Sequence, residues 1–216
     1  MLNIFLASIP AIFFLFFFSF FEKEVVKKKW YLLIVLFLLG AIGSYLCYRL
    51  EMHFGSYFKK VKDSTYLEVL FYAIFGVAIF EEGYKWVLST TSSSIDKASP
   101  LLYSIVVSIG FALYENIFFY TIPYGFSLSR LLTAFPSHIC NAIWMGIFLI
   151  KYQKTKGVKR LIPFLCSLMI PTLLHAFYNS FLYGKDPNLM KYHLYYYIGL
   201  LGITIYLWIK TKKEEA

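Results

Sequence analysis

Residues 101–120 read LLYSIVVSIGFALYENIFFY, twenty residues that carry a single charge, Glu115. As a helix rising about 1.5 Å per residue this run is about 30 Å long, the hydrocarbon thickness of a bilayer. Six similar segments surround it, at 2–21, 30–48, about 66–89, 128–150, 161–183 and 192–209. The expected fold class is therefore all-α: a polytopic membrane protein of about seven transmembrane helices. At roughly 20 residues each, the spans leave too little chain between them for a soluble catalytic domain, so residues 1–216 are expected to form one membrane-embedded domain. Any chemistry must then lie within the membrane.

Composition points the same way. Of 216 residues 59% are hydrophobic and 15% charged, against about 25% charged in soluble domains. Aromatic residues make up 21%, more than one globular core of this size could cover without leaving large apolar patches. Lys and Arg number 21 and Asp and Glu 12, for a net charge of +9. The basic residues fall as short clusters between apolar runs, such as Lys27 to Lys29 and Lys154 to Arg160, which is how membrane topology is written. With no zinc-finger or RNP-like spacing, nucleic acid is not an expected partner; the lipid bilayer is. Cys47, Cys140 and Cys166 lie inside apolar segments without a C-x-x-C pair, which argues against a disulfide framework or a structural zinc site. The first run lacks a basic n-region and a small-residue cleavage site, so a retained span is expected in place of a cleaved leader.

With the N-terminus outside, 13 Lys and Arg fall on the inner side and 7 on the outer. That favours N-terminus out and C-terminus in the cytoplasm. The exception is Arg49 to Lys62, with His53, Phe54, Tyr57 and Phe58, read as an amphipathic interfacial helix on the outer surface.

Charged side chains at mid-bilayer cost about 2.5 to 3.5 kcal/mol each on insertion scales, so a span holding one needs a partner or a function. The third span contains Glu81, Glu82 and Lys85, with the lysine four and three residues after the carboxylates and on their helical face. The fourth contains Glu115 and Asn116. The fifth contains Pro136, His138 and Asn141, and the sixth Pro171, His175 and Asn179. At spacings of three and four, each histidine shares a face with an asparagine. Each proline frees a backbone carbonyl, which is tolerated where the backbone is buried or lines a wet cavity. At about 1.5 Å per residue His138 lies about 15 Å and His175 about 12 Å from the outer end, and Glu81 about 16 Å if its span starts near Leu70. Thr65 to Val69, with Glu68, is then assigned to the interface. Four consecutive spans, the third to the sixth, thus bring polar groups to one depth, and a shared polar cavity follows.

The inventory narrows the chemistry. There is no H-E-x-x-H for a zinc site-2 enzyme, no G-x-S-G for a rhomboid-like serine enzyme, and the aspartates Asp63, Asp96 and Asp186 all lie in loops. Glutamate and two histidines remain. One glutamate can activate water while His138 and His175, aided by Asn141 or Asn179, stabilise the oxyanion or protonate the leaving amine. Lys85 would hold the second glutamate, and Glu115 and Asn116 would support the site. Alternatively Glu81 or Glu82 with His138 and His175 forms a three-ligand site for a divalent metal such as zinc. Both readings stay open, with no cofactor in the first.

The ordered motifs E-E-x-x-K (Glu81, Glu82, Lys85), G-F-A-x-x-E-N (Gly110 to Asn116), the proline-preceded His138 and H-x-x-Y-N (His175, Tyr178, Asn179) resemble the PrsW family of bacterial intramembrane proteases. That family is similar to the type II CAAX prenyl endopeptidases. The match runs from residue 81 to residue 179. The resemblance implies an endopeptidase of the bacterial cell membrane that cuts a membrane-anchored protein or peptide, as in signalling by anti-sigma-factor cleavage. It also implies Glu81, Glu82, His138 and His175 as the catalytic set. The chain departs at Asn179, where the PrsW pattern has aspartate and the prenyl endopeptidases are closer to asparagine. Two other classes use the same inventory: a proton-coupled transporter or channel, which would favour duplicated halves that the chain lacks, and a non-catalytic membrane scaffold of the same fold.

Overall fold

The structure, a computed structural model, describes residues 2–55, 65–96, 99–121, 128–183 and 187–215. These residues form α1 (Leu2–Phe21), α2 (Lys23–Gly55), α3 (Tyr66–Tyr72), a π-helical turn (Ala73–Ala78), α4 (Ile79–Ile95), α5 (Pro100–Thr121), α6 (Leu128–Lys154), a 3₁₀ turn (Val158–Arg160), α7 (Leu161–Tyr183) and α8 (Pro187–Glu215). Among the described residues there is no strand. Helix α3, the π turn and α4 run on without a break, so each of the seven expected segments has its rod. Five are long and apolar enough to cross a membrane: Ile4–Phe21, Lys23–His53, Pro100–Phe119, Leu132–Lys154 and Val158–Tyr183. The third rod falls short of that measure because the π turn divides it and its charges lie in α4. In α8 the polar Tyr192, His193 and Tyr195 to Tyr197 dilute the apolar run.

The end of the second span differs from the sequence reading. Helix α2 begins at Lys23, bends at Lys29 (φ −124°, ψ 18°) and runs on to Gly55, so Arg49 to Gly55 belong to a membrane helix, not to a separate interfacial one. Its charge suggests the surface, but as the last turns of α2 the tract turns one carboxylate, Glu51, inward. The remainder of that proposed helix, through Lys62, lies outside the described residues. At the start of α3, Thr65 and Glu68 form a reciprocal capping box, with the Thr65 N–H donating to Glu68 Oε2 at 2.8 Å. Glu68 thereby satisfies a helix end that has no partners of its own.

The polarity of the bundle is inverted relative to a soluble protein. Large apolar side chains such as Phe5, Phe16, Leu38 and Ile162 face outward, while Glu81, Glu82, Lys85, His138 and His175 are buried. Packing centres on α5, whose Leu101, Val106 and Ile109 join Phe18, Leu36, Phe135 and Ile143 from three neighbouring helices in one apolar core. Gly40 of α2 and Gly110 of α5 let these two backbones touch. A Cβ on Gly40 would lie 2.1 Å from the Val107 carbonyl oxygen, and one on Gly110 would lie 2.0 Å from that of Phe37. Small residues at such crossings give the backbone contact on which helix association in lipid relies.

The prolines inside α6 and α7 were expected to leave free carbonyls. Pro136 removes the N–H that would have bonded to the carbonyl of Leu132. The Tyr197 hydroxyl of α8 donates to that oxygen at 2.7 Å instead. Its neighbour Tyr196 donates to Leu174 O at 2.7 Å, so consecutive tyrosines clip α8 to both histidine-bearing helices.

Candidate active site

The carboxylates of α4 follow directly on the π turn. A π turn widens a helix locally and often stands beside functional groups. Here its Ala73 and Ala78 pack on Ala176 of α7, and this seam of small side chains brings the start of α4 close to His175, one residue before that alanine. Within α4 the two glutamates are treated differently. Glu82 is fully enclosed; its Oε1 accepts from Lys85 Nζ at 2.8 Å and pairs with His175 Nδ1 at 2.7 Å. Glu81 Oε2 lies 3.7 Å from Lys85 Nζ and 3.8 Å from His175 Nε2, and has no hydrogen-bond partner. Glu82 Oε2 is likewise unpartnered, but it faces no open space.

Lys85 sits at the centre. Besides its two carboxylates, Nζ lies 3.1 Å from His138 Nδ1 and 4.1 Å above the Phe111 ring, a cation–π contact that favours a buried ammonium. An ammonium only donates, so His138 Nδ1 accepts, and the ring proton sits on Nε2. That Nε2 donates to Glu115 Oε2 at 2.7 Å. The same logic applied to His175 makes Nδ1–H the donor to the Glu82 carboxylate and leaves Nε2 facing Glu81. The two imidazoles meet edge to face, with centroids 5.1 Å apart. Each histidine is thus held in one tautomer by a carboxylate from another helix, the arrangement that orients metal-binding or proton-transferring imidazoles.

Glu81, His138 and His175 each offer one ligand atom, all within 4.8 Å of one another. Two nitrogens and a carboxylate oxygen form the donor set of catalytic zinc sites. Two of these donors, Glu81 and His138, already face a cation, since the Lys85 ammonium lies among Glu81, Glu82 and His138.

A cavity of about 220 Å³ opens beside this cluster toward the face at which α2, α5 and α7 end. Glu81, Glu115 and Asn179 line it, together with Tyr48, Glu51 and Tyr183. Of the other residues read from the sequence, Asn141 is fully buried with neither side-chain atom hydrogen-bonded, and Asn116 is buried with its Nδ2 unpartnered; neither lines the cavity. Sequence reasoning overlooked Glu51. Its signal lay in the spacing of Ser44, Cys47, Tyr48 and Glu51, which follows one helical face, but the second span was closed at Tyr48. The Cys47 thiol reaches Phe80 O at 3.5 Å, which fixes this face of α2 beside the glutamates of α4.

Comparison with known proteins gives the class, an intramembrane protease, that is, a peptide hydrolase working inside the bilayer. The chain belongs to the PrsW family: residues 28–208 match the family described as PrsW family intramembrane metalloprotease. It is 30% identical over 156 residues to Protease PrsW of Oceanobacillus iheyensis, covering 69% of each chain. It is 26% identical over 161 residues to Protease PrsW of Clostridioides difficile, covering 68% of this chain and 65% of that one. The chain therefore spans about two thirds of the length of these relatives. No solved structure matches it.

Proposed function

We propose that the chain is an endopeptidase that cuts a membrane-anchored protein or peptide at the cavity beside Glu81, with Glu81, Glu82, His138 and His175 as its working set. The observation that carries this reading is the asymmetry of the glutamates. Glu82 Oε1 is held by both Lys85 and His175, whereas Glu81 presents an unpartnered oxygen and lines the cavity. Glu81 is accordingly the group that takes the proton of the attacking water. His175 Nε2, 3.8 Å from Glu81 Oε2, can pass that proton to the leaving amine, while Glu82 stabilises the imidazolium formed on the way. As the water oxygen bonds to the scissile carbonyl carbon and the C–N bond breaks, the new amine takes up the proton that the water gave. Asn179, on the cavity wall, supplies an amide donor to the oxyanion. Lys85 and Glu115 are positioning residues, acting through Glu82 and His138.

In donor type the set fits a divalent metal such as zinc, which Glu81, His138 and His175 would hold with Lys85 Nζ turned away from His138 Nδ1. When bound, such an ion polarises the carbonyl and acidifies water.

The substrate class, a membrane-anchored protein, includes anti-sigma factors and hence a signalling role. The bacterial relatives support a bacterial cell membrane, and the lysine distribution supports an N-terminus outside and a C-terminus in the cytoplasm, and so a cavity that opens outward. The test is cleavage of single-span reporter proteins by purified wild type, Glu81→Gln and Glu82→Gln, with and without a strong chelator. Loss of at least about 100-fold in Glu81→Gln is expected, the size of a general-base contribution. Loss on chelation that is restored by metal selects the metal-assisted form. Full activity in Glu81→Gln would remove it as the base.

A further inference from the structure

A second cavity, of about 370 Å³, lies at the opposite end of the bundle, where α4 and α6 finish and α7 begins. It is roughly twelve times the volume of a water in the liquid and is unconnected with the glutamate cluster. Lys156 and Arg160 stand on its wall, and no carboxylate is among its lining residues. Neither cation is in a salt bridge with a described residue. The Arg160 guanidinium lies 4.2 Å over the Tyr152 ring, and Gln153 Nε2 donates to Ser93 O at 3.0 Å, so the wall is braced from α6 to α4.

The hydroxyls decide what the cavity is suited to hold. Ser94 Oγ and Thr155 Oγ1 donate to the carbonyls of Thr90 and Lys151 at 2.8 and 2.7 Å. Ser93 Oγ and Thr90 Oγ1, also on the wall, are buried and have no partner. Ser93 is only 3% exposed. A buried, unpaired hydroxyl is disfavoured unless something supplies its partner. Two cations with no carboxylate partner among the described residues, on a wall that also holds two unspent hydroxyls, are a recognition set for phosphate oxygens. The surroundings say where the phosphate comes from. The cavity lies in the lysine-rich zone from Lys151 to Arg160, beside the outward-facing apolar Ile95, Val158, Leu161 and Ile162. Headgroup and acyl chains would find polar and apolar surface at adjacent depths.

We propose that this cavity binds the phosphate headgroup of an anionic phospholipid, clasped by Lys156, Arg160, Ser93 and Thr90. Selection for net negative lipids follows from charge, because a choline group would bring a third cation into a space with no carboxylate.

The test uses the whole protein in detergent, titrated with phosphatidylglycerol, phosphatidylcholine or inorganic phosphate, with bound lipid read by native mass spectrometry and stability by the thermal midpoint. Wild type should retain phosphatidylglycerol in preference to phosphatidylcholine, and millimolar phosphate should not displace it. Lys156→Gln with Arg160→Gln should weaken phosphatidylglycerol roughly tenfold or more, since each basic residue near an anionic surface contributes substantially to its attraction. Ser93→Ala should weaken it roughly threefold with the lipid-free midpoint unchanged or raised. The control is Lys210→Gln with Lys213→Gln, which removes the same charge near the end of α8. An equal loss in the control would reduce the effect to general electrostatics, and equal retention of the two lipids would remove the phosphate selectivity. Displacement by inorganic phosphate would make the occupant a small soluble phosphate and overturn the lipid assignment.

Discussion

Replacing Gly110 with alanine tests how the bundle positions its chemistry. A Cβ there would lie 2.0 Å from Phe37 O, 2.8 Å from Phe37 C and 3.1 Å from Phe37 Cα, whereas ordinary contact begins at 3.4 Å. The obstructing atoms are all backbone, so no side chain can swing aside, and α5 must move away from α2 by about 1.4 Å. Overpacking of this kind costs about 1 to 3 kcal/mol, and backbone against backbone puts it at the upper end. Alanine returns about 1 kcal/mol of helix propensity, so the expected net loss is about 2 kcal/mol. The motion also carries Phe111, one residue on, and Glu115, which hold Lys85 and His138. A misplacement of about 1 Å at a catalytic group can cost about 100-fold in rate. The assay pairs the thermal midpoint in detergent with cleavage of a single-span reporter. Gly202→Ala is the matched control, since nothing lies within 4 Å of its Cβ position; it should be neutral or slightly stabilising. If Gly110→Ala is as stable and as active as Gly202→Ala, the α2–α5 contact is not what sets the site.

Lys85→Met should destabilise by about 3 to 5 kcal/mol, because it leaves the enclosed Glu82 charge short of a partner. Adding Glu82→Gln should recover part of that loss, as read by thermal midpoints, and no recovery would show that the pair does not act through its charge. Tyr197→Phe leaves Leu132 O without its donor and should cost about 1 to 3 kcal/mol. In a Pro136→Ala background the restored backbone N–H should satisfy the same carbonyl, so the cost there should fall; an unchanged cost would place the tyrosine's contribution elsewhere.

Much of this architecture was legible in the chain. Seven apolar runs correspond to seven helical rods because, in lipid, backbone groups must bond within their own segment and length alone marks a span. The polar residues of the third to sixth spans do converge: Glu81, Glu82, Lys85, Glu115, His138 and His175 form one contact network. Helical spacing could place Lys85 on the face of both glutamates, since that pairing is local. It could not show that Gly110 in the G-F-A-x-x-E-N motif serves helix contact, that Phe111 lies beneath an ammonium, or that Glu115 holds a histidine twenty-three residues away.

The limits have a common cause. Arg49 to Gly55 read as surface because charge was counted without knowing what stood opposite, and only the packing of α2 beside α4 turns Glu51 into the cavity. Asn141 and Asn179 occupied equivalent places one turn after a histidine, yet Asn179 lines the cavity and Asn141 is sealed in helix packing. Membrane class, the number of rods, the motif residues and the family resemblance were carried by the sequence itself, because composition, run length and spacing are properties of the chain alone. The division of work between Glu81 and Glu82, the tautomers of both histidines and the satisfaction of the Pro136-freed carbonyl were decided by tertiary structure. Each depends on which atom of a distant helix comes within hydrogen-bonding distance, and helical periodicity assigns a residue its face without naming the partner that face will meet.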